Sequence, residues 1–333
     1  MTTSRRAVLA GGSGFLGAHV ARVLEGRGYT IARIGRSGPD ARWADTAAVD
    51  RLVDGADLLV NLAGKSVDCR YTDRNRAEVL DSRVRTTRQL HGAVARAARP
   101  PRVWLNASTA TIYRHAMDRP MTEQDGVIGS GFSVDVARSW EDELLRGTLP
   151  DTRRVALRIA IVLGDGPATR MLFRLAQFGL GGPQIDGWWF PHRRYRGIGA
   201  DPSGARWSGW HRTRGRQRFS WVHVEDVAES IGFLAEDTDL SGPVNIAAPA
   251  PSDNRTVLAE LRRAVGRRIG LPAFRFMLEP AMFVLRTEPE LVLKSRWVLP
   301  ERLENAGYRF RHADLRATVE DVAGTLGVRR RDR

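Results

Sequence analysis

The sequence predicts an α/β fold built on a doubly wound parallel sheet. Short apolar runs alternate with amphipathic segments through the first half of the chain, and a glycine-rich turn joins the first run to the first amphipathic segment. Continuous apolar runs are typical of strands buried on both faces, and strands that alternate with helices favour parallel pairing. We predict strands at residues 6–10, 30–34, 57–62, 102–106, 153–163, 220–224 and 244–247.

The segments between these strands are predicted to be helices, because their apolar residues recur on one helical face. The first places Val20, Val23 and Leu24 on one side and ends near Gly26 and Gly28, which favour helix termination. We predict helices at residues 15–28, 46–53, 74–98, 135–145, 171–178, 225–235, 254–265 and 315–326.

The sequence pattern changes after Gly164, which predicts two structural units. Strands and helices alternate before this residue, whereas glycine, arginine and tryptophan become frequent after it and the periodicity is lost. We expect a nucleotide-binding unit at residues 1–165 with 219–247 contributing to it, a smaller C-terminal substrate-binding unit at 166–218 and 248–328, an insert at 184–214, and a frayed tail at 329–333.

The composition is that of a globular protein, with 333 residues of which 42% are hydrophobic and 27% charged. The net charge of +14 comes almost wholly from arginines spread along the chain, since Lys65 and Lys294 are the only lysines. We therefore do not expect nucleic acid as a partner. No apolar run reaches the ~18–20 residues that span a bilayer, and Cys69 is the single cysteine. We expect a cytoplasmic protein with no membrane partner and no internal disulfide.

The turn between the first strand and the first helix predicts a dinucleotide site. Gly11 permits a tight turn, Gly14 lets the backbone approach a pyrophosphate, and Gly17 permits close packing of helix on strand. The helix N-terminus offers free N–H groups and the positive end of its dipole to the anion. The predicted contact residues are Gly11, Gly12, Ser13, Gly14, Phe15, Leu16 and Gly17.

The end of the second predicted strand favours NADP(H) over NAD(H). A ribose 2′-hydroxyl is held by an acidic residue at this position, but the strand ends in Arg36 and Ser37. A guanidinium pairs well with a 2′-phosphate, and the serine hydroxyl adds a donor. An arginine that merely faces solvent is the alternative in so arginine-rich a chain.

Several segments resemble the extended short-chain dehydrogenase/reductase superfamily, which has a Rossmann-type doubly wound sheet. They are the glycine turn, the run 61–64, the run 108–113 and the run 157–164. The resemblance implies that Asp45, Leu62, Ala63, Gly64, Ser108 and Arg158 border the cofactor and that Thr109 is the catalytic Ser/Thr. Further similarities, including the runs 219–226 and 300–308, extend to an atypical epimerase-like branch with a distinctive C-terminal domain and no settled reaction.

The acid/base pair of the superfamily is missing. Its members carry a tyrosine four residues before a lysine, and these positions hold Ser133 and Ala137 here. Tyr113 is the provisional proton donor, with a packed aromatic side chain as the equal alternative. Glu123 is a second candidate, although it can instead cap the turn before the next helix. His115 and Asp135 lie in the same stretch.

The insert at 184–214 combines arginines with tryptophans, and such tryptophans need a surface to cover. It is positioned to roof a substrate pocket, so Trp188, Trp189, His192 and Tyr195 are candidate substrate contacts. Packing on its own domain or on a second subunit is the main alternative, and binding of single-stranded nucleic acid is the weakest. His192 and His211 have no evident third ligand, so we expect no metal.

The sequence as a whole favours an NADP(H)-binding reductase or epimerase-like enzyme that acts on a small, anionic or cyclic metabolite. Thr109 would orient the reacting oxygen. Two alternatives stay open on the same fold: a non-redox isomerase, cyclase or dehydratase, and a non-catalytic regulator or scaffold that responds to NADP. The dimerising habit of the superfamily makes a homodimer the oligomer to test.

Overall fold

The computed structural model describes residues 5–190, 196–199, 211–236 and 238–328. The strands are β1 (Arg5–Ala10), β2 (Tyr29–Gly35), β3 (Ala41–Arg42), β4 (Leu58–Asn61), β5 (Val103–Thr109), β6 (Arg153–Ile159), β7 (Ile161–Leu163), β8 (Gln184–Ile185), β9 (Arg218–Phe219), β10 (Trp221–His223), β11 (Gly242–Ile246), β12 (Ser252–Asp253) and β13 (Ala273–Phe274).

The helices alternate with the strands through the first half of the chain. They are α1 (Phe15–Gly26), α2 (Thr46–Val53), α3 (Asp73–Arg96), α4 (Phe132–Leu145), α5 (Pro167–Gln177), α6 (Val224–Glu236), α7 (Asn254–Ala264), α8 (Arg275–Val284), α9 (Glu290–Leu293), α10 (Glu301–Asn305) and α11 (Leu315–Thr325), with a 3₁₀ turn at Ala110–Ile112. None of the helices within the described ranges has the length and hydropathy needed to span a bilayer.

A seven-stranded sheet in the order β11-β6-β5-β4-β1-β2-β3 forms the centre of the molecule, and all its neighbouring strands pair in parallel. Successive residues of β1 point to opposite faces: Ala7 and Leu9 join one apolar cluster, whereas Val8 and Ala10 join another. Both faces are therefore covered, which is why the strands read as continuous apolar runs. This arrangement confirms the predicted doubly wound sheet.

The run 153–163 is two strands, not the single strand that its continuous apolar sequence predicts. The backbone changes partner at Ala160, whose N–H donates to Ile246 of β11, while the N–H of Ile161 donates to Ser220. β6 therefore stays in the main sheet, and β7 pairs with β10 in a separate two-stranded sheet. Periodicity cannot detect this change, because both strands are apolar.

The C-terminal part forms its own apolar cluster next to the sheet. Phe173 of α5, Leu261 of α7 and Val322 of α11 are buried in it, together with Trp221 of β10. α8 has an unusual polarity, since it buries the charged side chains of Arg275 and Glu279. Its outward side carries exposed apolar residues, among them Phe276.

We predict that Gly17→Ala destabilises the protein, because a Cβ at residue 17 would lie 2.4 Å from the carbonyl oxygen of Gly12. The backbone must shift to accept it, and such overpacking costs about 1–3 kcal/mol. The matched control is Gly26→Ala on the same helix, where a Cβ meets nothing within 4 Å. Urea denaturation followed by circular dichroism measures both. Equal midpoints for the two variants would contradict the assigned role of Gly17.

Candidate functional site

The glycine turn has the geometry of a phosphate-binding loop. Gly11 has a φ of 78°, and a Cβ there would lie 2.7 Å from the backbone nitrogen of Ala63, so a side chain is excluded twice. A Cβ on Gly14 would touch only the Gly11 oxygen, at 3.4 Å. Ser13 and Gly14 are exposed, and α1 begins with no side-chain cap and no acidic residue in its first turn. The first N–H groups of α1 therefore face an open cradle that suits an anion.

A second loop closes against the turn and is held there by Asn61, whose importance the sequence did not reveal. Asn61 is fully buried, and its Oδ1 accepts the N–H of Ala63 at 3.0 Å. Its Nδ2 donates to Asn106 Oδ1 at 2.7 Å, while the N–H of Leu62 donates to the carbonyl of Ala10. This places Leu62 and Ala63 directly beside Gly11. The available signal was an asparagine inside an apolar strand, since such a group must be hydrogen-bonded when buried.

The far side of the glycine turn carries the residues predicted to choose between the two dinucleotides. Arg36 and Ser37 follow β2 and are exposed, so both can reach a ligand. Gly64 is also exposed and lies against the guanidinium of Arg83. Asp45 caps α2 by accepting the N–H of Ala48 at 2.9 Å. Its role in the fold is thus to cap a helix, and the adenine contact that the resemblance implies stays a prediction.

A buried polar network crosses the sheet where the resemblance places cofactor and catalytic residues. Glu141 of α4 accepts two hydrogen bonds from the Arg158 guanidinium, at 2.9 and 2.7 Å, and one from the Ser108 hydroxyl at 2.6 Å. Arg158 also donates to the Tyr113 hydroxyl at 2.9 Å, and that hydroxyl donates to Asn245 Oδ1 at 2.9 Å. The chain of contacts joins β5, α4, β6 and β11.

This network bears on the expectations for Tyr113 and Arg158. Tyr113 is 2% exposed, and its hydroxyl donates its proton to Asn245 and accepts one hydrogen bond from Arg158. Burial raises the pKa of the phenol, and the Arg158 charge only partly offsets this. Tyr113 thus has the surroundings of a packed aromatic side chain, and a role as proton donor stays a prediction. Three of the five guanidinium N–H groups of Arg158 and the Ser108 hydroxyl proton bind Glu141 or Tyr113, and the cofactor contacts that the resemblance implies for Arg158 and Ser108 stay predictions.

Glu123 lies at the edge of the sheet and is linked to Tyr113 through Asn245. Its Oε1 accepts the backbone N–H of Asn245 at 2.8 Å, so it satisfies a donor of the edge strand β11. Burial raises the pKa of this carboxyl. Its neighbours in a groove of about 290 Å³ are Pro243, Arg302 and Asn305. The structure thus supports a structural role, although the group that Glu123 satisfies is a strand and not the predicted turn.

Thr109 ends β5 in a half-buried position. Its Oγ1 accepts the N–H of Thr111 at 3.1 Å and starts the 3₁₀ turn. A hydroxyl has one proton and two lone pairs, so this bond leaves the Thr109 proton able to reach another acceptor. That is the property required of the residue that orients a reacting oxygen.

A polar cluster around Ser133 fills the place of the missing tyrosine. We define the Ser133 cluster as Ser133, Glu290, Lys294, Thr111 and Tyr71. Ser133 Oγ donates to Glu290 Oε2 at 2.8 Å, and Lys294 Nζ donates to the Thr111 carbonyl at 2.7 Å while lying 3.8 Å from Glu290 Oε1. Burial raises the pKa of the Tyr71 phenol, which interacts with both Ser133 and Glu290. The sequence did not predict this cluster, because Glu290 and Lys294 come from the C-terminal part.

The described parts of the insert pack on the C-terminal part and over the Ser133 cluster. Ile198 is buried with Leu278 and Leu293, and a Cβ on Gly197 would lie 2.5 Å from Glu290 Oε1. Both the lid and the packing interpretations gain support from these contacts. The indoles of Trp188 and Trp189 each contact the Phe190 ring, and Trp188 is exposed. His192 and Tyr195 lie outside the described residues.

A buried ionic cluster anchors this insert. Asp186 pairs with Arg275 at 3.0 Å, and Arg196 pairs with Glu279 at 2.8 Å. Burial raises the pKa of Asp186 to about 6, even though Arg275 lowers it. Next to it, His211 Nε2 lies 3.8 Å from Asp186 Oδ2, and burial lowers the pKa of His211 to about 4.

The His115–His211 pair is neutral. His115 Nδ1 accepts two backbone N–H groups, from Gly199 and Ser295, so its proton is on Nε2. Nε2 of His115 lies 2.9 Å from Nε2 of His211 and donates to it. Burial is the main reason why the pKa of His115 falls well below the usual value. The pair therefore joins the insert to the segment that follows β5.

A second histidine pair could attract a metal, but its ring nitrogens have other partners. Ligand atoms of His223, Glu225 and His312 lie within 4.8 Å of one another. His223 Nδ1 accepts the N–H of Glu225, and its Nε2 faces Asp321 at 3.4 Å. His312 Nε2 lies 3.4 Å from Glu225. Hydrogen bonding explains this group of residues, so we assign no metal to it.

We predict that Asp186 makes stability fall as the pH rises from about 4 to about 6. The folded state holds the proton up to about pH 6, whereas the unfolded carboxyl releases it near 3.8. Protonation thus stabilises the fold inside this window, by about 1–3 kcal/mol at most. His115 and His211 have lowered pKa values and act in the opposite direction, so the wild type must be compared with Asp186→Asn.

Urea denaturation at several pH values measures that comparison. The difference in unfolding free energy, wild type minus Asp186→Asn, should decrease between pH 4 and pH 6 and then level off. A difference that stays constant over this range would show that Asp186 titrates normally in the folded protein.

Comparison with known proteins agrees with this geometry. Residues 7–129 match the family model described as the NAD dependent epimerase/dehydratase family, and residues 273–322 match a domain of unknown function, DUF1731. Epimerase family protein SDR39U1 of Bos taurus is 31% identical over 95% of this chain and 99% of its own length. Epimerase family protein YfhF of Bacillus subtilis is 28% identical over 94% of this chain and 96% of its own length.

Solved structures show the same fold. Human epimerase family protein SDR39U1, solved with NADPH, superposes with a TM-score of 0.80 at 26% identity, covering 96% of this chain and 100% of that one. UDP-N-acetylglucosamine 4-epimerase from Bacillus cereus gives a TM-score of 0.69 at 16% identity over 97% of each chain, which is a likeness of fold alone. The chain therefore belongs to the NAD dependent epimerase/dehydratase family, and within it resembles the epimerase family proteins that carry the DUF1731 domain.

Proposed function

We propose that this protein is an NADP(H)-dependent oxidoreductase or epimerase-like enzyme whose acid/base groups come from its C-terminal part. The observation that carries the proposal is the Ser133 cluster, which sets a buried carboxylate and ammonium beside the catalytic segment that begins at Thr109. The glycine turn follows β1, and the cluster contacts the segment after β5, two strands away in the same parallel sheet. The carboxyl ends of such strands are where α/β folds bind their ligands.

The cradle fits a dinucleotide. A Cβ on Gly11 or Gly17 would collide with neighbouring backbone, whereas Gly14 leaves the turn open to a ligand. The uncapped start of α1 would accept the pyrophosphate. Leu62 and Ala63 close the turn from the next strand. NADP(H) is favoured because Arg36 is exposed at the ribose end, and because human SDR39U1, which is similar over nearly the whole chain, was solved with NADPH.

The bound cofactor would supply or accept hydride, and the chain would manage the proton. Thr109 holds its hydroxyl at the end of β5, where it can donate to a carbonyl oxygen. Ser133 can pass a proton between that oxygen and Glu290, to which it is hydrogen-bonded. Lys294 Nζ lies 3.8 Å from Glu290 Oε1, so an ammonium group stands beside this carboxyl group. Gly197 packs on Glu290, so the insert keeps water from this relay.

The substrate of this site is inferred to be a small polar metabolite with an anionic group. Arg296 is buried and donates to Thr111 Oγ1 at 3.1 Å, so a second cation lies beside Lys294. Two buried cations beside one buried carboxylate leave a net positive site that an anionic group can neutralise. Sugar-nucleotide epimerases share the fold, and nucleotide sugars carry such groups, which makes them the first compounds to test.

The second candidate is a regulator that binds NADP(H) without turnover. The position of the family's lysine holds Ala137, which is fully buried in the core, so that lysine has no place in this protein. A regulator would bind the cofactor equally well and would not depend on Ser133 or Glu290.

We predict that NADPH raises the melting temperature more than NADH does at equal concentration. Arg36→Glu should weaken NADPH binding by about tenfold or more and leave NADH binding nearly unchanged, because the guanidinium meets only the 2′-phosphate. The matched control is Arg138→Glu, an exposed arginine on α4. Isothermal titration with each cofactor measures these affinities. If Arg36→Glu affects both cofactors equally, Arg36 does not recognise the 2′-phosphate.

We predict that Ser133→Ala and Glu290→Gln each lower kcat by at least about tenfold while keeping the affinity for NADPH. Tyr113→Phe should retain turnover and lose only stability, because its hydroxyl bonds to Arg158 and Asn245. Loss of NADPH absorbance with a panel of nucleotide sugars and keto acids provides the assay. Full activity in Ser133→Ala together with an inactive Tyr113→Phe would return the role of proton donor to Tyr113.

A further inference from the structure

Two loops of the C-terminal part expose four large apolar side chains that nothing in the described molecule covers. Phe178 and Leu180 follow α5, and Ile269 and Leu271 follow α7. Their exposed fractions are 79%, 51%, 80% and 62% in that order. Single exposed apolar residues are ordinary, but four large ones on adjoining loops are a feature of interaction sites.

These side chains belong to one tip because the two loops are joined by their backbones. The N–H of Leu271 donates to the Gly179 carbonyl at 2.8 Å, between Phe178 and Leu180. A Cβ on Gly182 would lie 2.2 Å from the Leu271 oxygen, so the loops touch further along as well. We call Phe178, Leu180, Ile269 and Leu271 the apolar tip.

Arginines adjoin the apolar tip on one side. Arg267 and Arg268 immediately precede Ile269 and are exposed. Arg267 Nε donates to the Gln177 carbonyl, next to Phe178, and so holds its charge at the tip. Together with Arg262, Arg263 and Arg316 they line a groove of about 650 Å³. The acidic lining residue of this groove, Glu320, is already paired with Arg316 at 2.9 Å.

Apolar side chains beside a group of exposed arginines match one surface, that of an anionic lipid bilayer. The apolar groups gain by leaving water for the acyl boundary, and each nearby arginine adds attraction to acidic headgroups. A second copy of the chain fits less well, because each copy has a net charge of +14 and would bring its own arginines against these arginines.

α8 extends the apolar surface beyond the tip. It begins shortly after Leu271 and is turned so that Arg275 and Glu279 are buried while Phe276, Met277 and Phe283 are exposed. In a helix that faces only water, the charged side chains would be exposed and the apolar side chains buried. A helix with an apolar outer side next to basic residues is the pattern of an element that lies in the plane of a membrane interface.

We propose that the apolar tip docks this protein on the surface of anionic membranes as a peripheral protein. No segment crosses the bilayer in this proposal: the tip inserts among headgroups, and the adjoining arginines bind their phosphates. This revises the expectation from composition that the protein has no membrane partner. The inference is independent of the proposed function, since the tip is formed by residues outside the cofactor cradle and the Ser133 cluster.

Flotation with lipid vesicles tests the proposal on the whole protein. Vesicles of phosphatidylcholine with phosphatidylglycerol should bind at least about tenfold more tightly than vesicles of phosphatidylcholine alone, and added salt should weaken the binding. The double variant Phe178→Ser, Ile269→Ser should lower the affinity by about tenfold or more. Arg267→Gln with Arg268→Gln should remove most of the salt dependence.

The matched control is Val127→Ser with Leu145→Ser, two exposed apolar residues of the sheet unit, which should bind vesicles like the wild type. Circular dichroism and thermal melts establish that every variant is folded, and cofactor titration establishes that the cradle is intact. Equal binding of the wild type and the tip variant would overturn the proposal. A dimer in sedimentation velocity that the tip variant abolishes, without vesicle binding, would overturn it in favour of an interface between two copies.

Discussion

The buried ion pair between Arg158 and Glu141 is the interaction on which the site depends. Both charges are almost fully buried, and the pair is acceptable there only because further hydrogen bonds, to Ser108 and Tyr113, satisfy the remaining groups. Removing one partner would leave an uncompensated charge in the core, which costs about 3–5 kcal/mol. The pair holds α4 against β5 and β6, and thereby places Ser133, at the start of α4, opposite the end of β5.

The same constraint explains why the site is shared between the two parts of the chain. α4 contains no lysine, and the position where the family carries one holds Ala137, which is buried in the core. The charged groups near Ser133 are instead Glu290 and Lys294, which α9 brings from the C-terminal part. The insert then covers them through Gly197 and is anchored in turn by Asp186 and Arg275. The proposed cofactor cradle, the proposed proton relay and its cover therefore come from three regions that fold against one another.

The outer surface of the C-terminal part depends on which side of α8 is buried. α8 buries Arg275 and Glu279 because the insert requires their charges inside, where they pair with Asp186 and Arg196. The helix consequently presents its apolar side outward, next to the apolar tip. One internal ionic cluster thus accounts both for the position of the insert and for the exposed apolar surface that we propose binds membranes.

The sequence by itself determined the sheet and the cofactor turn, because both depend on local patterns. Apolar runs mark strands covered on both faces, and the glycines at positions 11, 14 and 17 stand together in one short turn between a strand and a helix. The tertiary structure alone decided which polar groups meet at the proposed site. It buried Tyr113, moved Glu123 to the edge of β11, divided the run 153–163 between two sheets, and set Glu290 beside Ser133. Contacts between residues more than a hundred positions apart leave no periodic signal in the sequence, and burial decides which polar groups remain able to react.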